Sequence, residues 1–267
     1  MNQTSNLSLR GVFVPLVTPF YRGKFDPQSL TKLIRYTEPH VAGYVPCLSS
    51  GEGQLISDRV WNDVVTATRG HTKKFVAAGI KRDNIDAVRR LSARAHQIGC
   101  DAVVLPVPYA KESDTLRYFD AVSAKIDLPI IIYNTEQLQI RTRSALLALA
   151  QNPAIIAIKD SSMNKRFFAT ACQLRRSGLL RLAVLQGLEH HMLVPDGCDG
   201  HMVALANVEP ELCHRMLQRN TSELNAKIID LFWKYNLGGS WYVALKTILL
   251  ERGVLRSAEE TQLAIRP

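Results

Sequence analysis

Short apolar runs alternate with amphipathic stretches along this chain. Eight runs, over 12–17, 43–47, 74–78, 102–106, 129–133, 155–159, 182–185 and 201–205, are apolar throughout and often β-branched. Strands buried on both faces read this way. Between the runs lie helix-like segments. The clearest spans 84–98, where Ile85, Val88, Leu91 and Ala95 recur at helical spacing with charge elsewhere. Asp83 reads as its N-cap and Gly99 as its stop.

Successive runs begin mostly 26 to 31 residues apart, the size of one β/α unit, and the last gap is 19. Eight alternating units predict an α/β fold, a (β/α)8 TIM barrel with a short seventh helix. An open doubly wound sheet is the rival, but no Gly-x-Gly-x-x-Gly follows the first strand. After the eighth run, helical patterns over 209–219, 222–235 and 241–252 exceed what one barrel helix needs. They predict a barrel over 1–207 and a C-terminal helical extension over 208–267 packed on it as one unit. The tail, 258–267, is expected to form a final turn or fray.

Composition narrows the class. The chain has 267 residues, 46% hydrophobic and 21% charged, which excludes a disordered or collagenous protein. No apolar run approaches the ~20 residues of a membrane span, so no membrane partner is expected. The formal net charge of +9 favours anionic partners in general. The basic residues are scattered, without the block of cations and aromatics that single-strand binding uses; the charge reads as a solvated surface, and no nucleic-acid partner is expected. Five cysteines, widely spaced and without a Cys-x-x-Cys pair, read as reduced thiols. With no apolar signal core in MNQTSNLSLR, they predict a cytoplasmic protein. His190 and His191 are adjacent and diverge, a poor metal pair; no metal and no cofactor is expected.

In such a barrel, chemistry sits at the C-terminal ends of strands. Lys159 closes an apolar strand. If it points into the barrel mouth, poor solvation disfavours the ammonium, and a neutral amine can attack a ketone to form a Schiff base. Its other reading is a lysine snorkelling to solvent. Tyr133 ends the neighbouring strand, where a phenol can shuttle a proton; its other reading is a ring packed in the core. Ser49 and Ser50, followed by Gly51, offer hydroxyls and N–H groups for a carboxylate, or form an ordinary serine turn.

Taken together, these ends resemble the dihydrodipicolinate synthase / N-acetylneuraminate lyase family of class I aldolases. The resemblance runs nearly full length. It is carried by Gly11 to Phe20, Ser49-Ser50-Gly51-Glu52, Pro108-Tyr109, Pro129 to Asn134, Ile158-Lys159-Asp160-Ser161-Ser162, Gly197-Cys198-Asp199-Gly200 and Ala244-Leu245-Lys246. It implies that Lys159 is the Schiff-base lysine, Tyr133 the proton relay, and Ser49 and Ser50 the carboxylate holders. It further implies that Gly187 lines the pocket and that Met202 lies beside the imine. A homo-oligomer, tetramer or dimer, is implied too.

The departures shape the expected activity. Leu48 replaces the glycine before the hydroxyl pair, Glu136 replaces a proline, and Leu138 stands where the synthases carry an arginine. Ala110 stands where a second, interface tyrosine is usual. Arg141 and Arg143 follow closely but read as helix-surface residues. The chain is therefore expected to be a lyase or aldolase acting on a 2-oxo acid, with pyruvate as donor or product and an aldehyde or sugar acid as partner. It is not expected to be a true dihydrodipicolinate synthase. The alternatives are a 2-oxo-3-deoxy sugar-acid dehydratase with the same imine, or a non-catalytic 2-oxo-acid binder. Trp61, Trp233 and Trp241 read as packing residues.

Overall fold

The computed structural model describes residues 9–82 and 84–261. Eight parallel strands close into a barrel in sequence order. They are β1 (Gly11–Pro15), β2 (Gly43–Val45), β3 (Phe75–Gly79), β4 (Ala102–Pro106), β5 (Ile130–Thr135), β6 (Ile155–Ser161), β7 (Ala183–Gln186) and β8 (Gly200–Met202). Helices α1 (Pro27–Thr37), α2 (Asp58–His71), α3 (Ile85–Ile98), α4 (Glu112–Ser123), α5 (Arg143–Gln151) and α6 (Lys165–Arg176) follow the first six strands in turn. After β8 come α7 (Pro210–Arg219), α8 (Ser222–Lys234) and α9 (Trp241–Glu251). The α/β barrel with C-terminal helices is thus present.

Local chemistry starts and stops these elements. Asp26 accepts from the Gln28 and Ser29 N–H groups, and Pro27 begins α1 where no N–H is needed. Ser57, Thr142, Asn164 and Thr221 cap α2, α5, α6 and α8 in the same way. The cap of α3 is Asn84, which accepts from the Ala87 N–H. It sits one residue beyond Asp83, which lies outside the described residues. Gly99, at φ 87°, ends α3 as expected and donates to Ala95 O and His96 O.

The strands are buried on both faces. Phe13, Val45, Ala77, Val104, Ile131, Ala157, Leu185 and Met202 fill the barrel interior. Val103, Leu105, Ile130, Ile132, Ile158 and Val184 face the helices. Each such aliphatic side chain contributes about 1.5–3 kcal/mol on burial, so an apolar run with no polar alternate is what this position demands.

Two expectations are corrected at the end of the barrel. The eighth strand stops at Met202, because Ala204–Asn207 forms a 3-10 turn. Asn207 holds that turn by donating to Pro15 O and Ala204 O and accepting from the Val17 N–H. The short seventh helix is a single 3-10 turn, Glu189–His191. A small antiparallel ribbon, Phe20–Tyr21 with Lys24–Phe25, follows β1; its two-residue strands leave no periodic signal in the chain. Helix α7 packs against β1 and β8 in the place of the eighth barrel helix, while α9 reaches the turn after β2.

The segment after α9 is pinned as far as Thr261. Glu259 accepts from the Arg22 and Gly23 N–H groups, and the Thr261 N–H donates to Glu52. The rest of the predicted tail, 262–267, lies outside the described residues. Among the described residues no helix is long and apolar enough to cross a membrane.

Candidate active site

The geometry begins with a register shift. Strands β5 and β6 pair Ile130 with Ile155, but the next pair is Ile131 with Ala157. The extra residue, Ile156, is a bulge in β6. Above it the strands run in step, so that Tyr133 stands opposite Lys159. Without the bulge Tyr133 would face Ile158, whose side chain points to the helices. The shift therefore brings the phenol and the amine to one face of the sheet, inside the barrel mouth.

There Lys159 is buried, only 4% exposed. Its Nζ lies 4.1 Å from the centre of the Tyr133 ring. No carboxylate stands within ion-pair distance of it among the described residues. The lysine does not snorkel out; its amine is enclosed at the base of a cavity of about 790 Å³. The tyrosine offers its ring face to the amine, with its side chain on the cavity wall.

Ser49, Ser50 and Gly51 form a 3-10 turn after β2, and both serines line the same cavity. The Gly51 and Gly53 N–H groups donate to Leu48 O, and the Glu52 N–H to Ser49 O. These three N–H groups are spent inside the turn, which leaves the two hydroxyls and the Ser49 and Ser50 N–H groups, bonded to no acceptor among the described residues, to meet an anion. Leu48, in place of a glycine, is accommodated: it is buried in the barrel interior with an extended backbone, φ −84° and ψ −164°. The turn is flanked by Cys47 and Glu52, both in the left-handed region at φ 59° and 56°.

Gly187 lines the cavity. A Cβ there would come within 2.8 Å of Lys159 Cε and 2.9 Å of Asp160 O, and closer still to Ser161 Oγ. Only glycine leaves the lysine stem room at this point. Met202 is placed differently: it is fully buried in the interior cluster with Phe13, Ala183 and Leu185 and is not on the cavity wall. Lys159, Tyr133, Ser49, Ser50 and Gly187 thus share one cavity, and Met202 is not among its lining residues.

The structure places further residues at the site to which the sequence assigned no part in it. Ser161 stands two residues after Lys159 on the same strand face, lines the cavity, and keeps its buried Oγ without a partner among the described residues. Strand alternation was the signal that could have found it. Trp241, from α9, lines the cavity and donates its indole N–H to Ser50 Oγ at 3.2 Å. Glu52, at the end of the serine turn, is fully buried and ion-paired with Lys246 of α9, also fully buried. Burial pulls the Lys246 ammonium below its usual range, against the pull of Glu52.

Below the mouth, Asn134 donates to Asp160 Oδ1 at 2.7 Å. Burial raises Asp160 to about 6, although bonds from Asn134 and Ser162 oppose the shift. This pair ties β5 to β6 on the helix-facing side, behind Tyr133 and Lys159.

The outer wall is polar and mixed. Glu136, Gln137, Gln54, Lys81 and Asn84 line it, together with Leu138. Arg82 also reaches the cavity, but its guanidinium is committed to Asp58, Gly53 O and Ile56 O. Arg141 and Arg143 are exposed and off the cavity wall, so neither stands in for the arginine missing at Leu138. Tyr109 lines the cavity, whereas Ala110 does not. Among the described residues no three His, Cys, Asp or Glu side chains converge on a metal position. His191 is held down at about 4, chiefly by burial and then by His190 and Lys165.

The chain matches the model of the dihydrodipicolinate synthetase family over residues 8–261. A 4-hydroxy-tetrahydrodipicolinate synthase of Roseobacter denitrificans is 30% identical over 222 residues, covering 78% of this chain and 74% of that one. The dihydrodipicolinate synthase of Bacteroides thetaiotaomicron superposes with a TM-score of 0.86 at 23% identity, over 96% of this chain and 93% of that one. The 2-keto 3-deoxygluconate aldolase of Picrophilus torridus gives a TM-score of 0.82 at 22% identity, over 92% of this chain and 94% of that one.

Proposed function

Because the chain belongs to the dihydrodipicolinate synthetase family, we propose that it is a class I aldolase or lyase, forming a Schiff base between Lys159 and the ketone of a 2-oxo acid. The neutral amine attacks the carbonyl carbon, and the resulting carbinolamine loses water, taking a proton from Tyr133. The iminium withdraws electrons from the adjacent carbon. Loss of a proton there gives an enamine, which adds to an aldehyde; the reverse sequence cleaves the same C–C bond. Tyr133 takes up and returns the proton of the aldol hydroxyl. Ser49 and Ser50 hold the carboxylate, and Gly187 keeps the lysine stem unobstructed.

The observation that carries this reading is the enclosed Lys159 amine, faced by Tyr133 and sharing one cavity with the serine turn. Pyruvate followed by borohydride tests it. The expected result is a covalent mass gain mapping to Lys159. Protein that binds pyruvate but stays unmodified would establish the non-catalytic binder instead.

The second substrate is read from the outer wall. At Leu138 the wall offers an anionic aldehyde no cation, and Glu136 nearby disfavours one, although Lys81 also lines the cavity. That argues against the synthase reaction named for the bacterial relatives. A polar wall and the unpartnered Ser161 hydroxyl suit a hydroxylated partner, the class to which the Picrophilus enzyme's named substrate belongs. The same features favour a second reading, dehydration of a 2-oxo-3-deoxy sugar acid, in which the enamine expels a hydroxide as water. Incubating the protein with such a sugar acid separates the two: pyruvate plus an aldehyde marks the aldolase, and loss of water without chain cleavage marks the dehydratase.

A further inference from the structure

Ser50 presents an uneven set of contacts. Its side chain is buried, and Oγ receives one hydrogen bond, from Trp241 Nε1 at 3.2 Å. An indole N–H can only donate, whereas a serine hydroxyl carries one proton and two lone pairs. The bond therefore fills a lone pair and leaves the Ser50 proton to find an acceptor. Among the described residues it has none, while Ser50 opens onto the cavity. The proton is left to point at whatever occupies that cavity.

Trp241 has little freedom to withdraw. It is the first residue of α9, and about 1.4 turns later Lys246 of the same helix pairs with Glu52, which directly follows the serine turn. Lys246 also donates to Glu259 O at 2.8 Å, and Glu52 accepts from the Thr261 N–H at 2.7 Å. Helix and turn thus form one cross-linked block, with the indole held over Ser50.

We propose that Trp241 is a positioning residue for 2-oxo-acid binding: its N–H fixes Ser50 as a donor, directing the hydroxyl proton to the substrate carboxylate. Donation into Ser50 also polarises its O–H, so the outward bond is strengthened. The inference rests on the Schiff-base reading above and assigns to α9 a share in recognising the carboxylate.

The test follows borohydride trapping at Lys159 over a range of pyruvate concentrations. Trp241→Phe keeps an aromatic ring and removes the N–H. The pyruvate concentration for half-maximal trapping should rise about three- to tenfold, the scale of one lost hydrogen bond between uncharged groups, while the final extent stays that of the wild type. Ser50→Ala should raise it at least as much. The double variant should be no worse than Ser50→Ala alone, because the indole acts only through that hydroxyl. Half-saturation unchanged in Trp241→Phe, or effects that multiply in the double variant, would overturn the proposal. Impairment seen only in Trp241→Leu would also overturn it, since the ring and not the N–H would then matter. Wild-type protein that pyruvate and borohydride leave unmodified would instead remove the Schiff-base reading, and this inference with it.

Discussion

Two stretches of the cavity rim are built in opposite ways. The turn after β2 is bonded to three separate parts of the chain. Thr18 donates to Gly51 O at 2.7 Å, Arg82 donates to Gly53 O at 2.6 Å, Trp241 donates to Ser50, and Lys246 pairs with Glu52. The segment after β5 is bonded mainly to itself. Thr135 and Leu138 share hydrogen bonds, and Gln139 donates to Glu136 O, while Glu136 and Gln137 are exposed. Segments held by few non-local bonds open more readily than cross-linked ones. The difference matches a division of labour. On the proposed reading, the carboxylate common to every 2-oxo acid would meet the rigid rim, and the variable partner the loose one.

The largest expected effect removes the group both rims serve. Lys159→Ala should abolish borohydride trapping by pyruvate while leaving thermal unfolding intact; a surviving adduct would show that another amine reacts. Next, Tyr133→Phe should slow imine formation by about 10²–10⁴, read from the time course of trapping. An unchanged time course would assign the proton to another group.

Lys246→Met addresses the rigid rim alone. It leaves the Glu52 carboxylate buried without its partner, at a cost of about 3–5 kcal/mol in urea unfolding. Adding Glu52→Gln should restore part of that loss. A change near zero would mean that the turn is not clamped in the way described.

Asp160 sits behind both strands, and its effect depends on pH. Its native carboxyl titrates at about 6 against an ordinary 3.8. Above pH 6 it is charged in both the folded and unfolded states, and the folded state bears the full burial cost. That cost fades as pH falls from 6 to 3.8. Asp160→Asn should therefore raise stability by on the order of 1–3 kcal/mol at pH 8, and by little at pH 4, in thermal unfolding at the two values. The smallest effect concerns the loose rim. Leu138→Arg should shift preference toward a carboxylate-bearing aldehyde by about tenfold, measured as competing turnover against a neutral hydroxyaldehyde.

The barrel was legible because its strands are buried on both sides, and such strands cannot disguise themselves with polar residues. Lys159 stood out for the same reason: a lone cation ending Ala154 to Ile158 has to be explained. The bulge that aligns it with Tyr133 was not legible. Ile155, Ile156 and Ala157 are all apolar, so an extra residue changes no pattern. The cap of α3 went to Asn84 and not Asp83 because both residue types cap helices, and only the backbone decides which is in place. Strand eight ran long in the sequence because Val203, Ala204 and Leu205 are apolar; Asn207, which turns the chain there, acts through contacts with Pro15 and Val17. Trp241 gave no sign of its role, since its partner, Ser50, lies 191 residues away. Met202 was expected beside the amine by resemblance alone; the structure puts it in the barrel interior, off the cavity wall.

The few residues beyond α9 have a practical meaning for anyone handling this protein. Glu259 and Thr261 are stitched to Lys246, Glu52 and the Phe20–Phe25 ribbon. An expression clone shortened to Ser257, or a preparation nibbled back by a carboxypeptidase, would lose those stitches. Lys159 would be untouched, yet on the proposed reading such a protein would need more 2-oxo acid to fill the pocket.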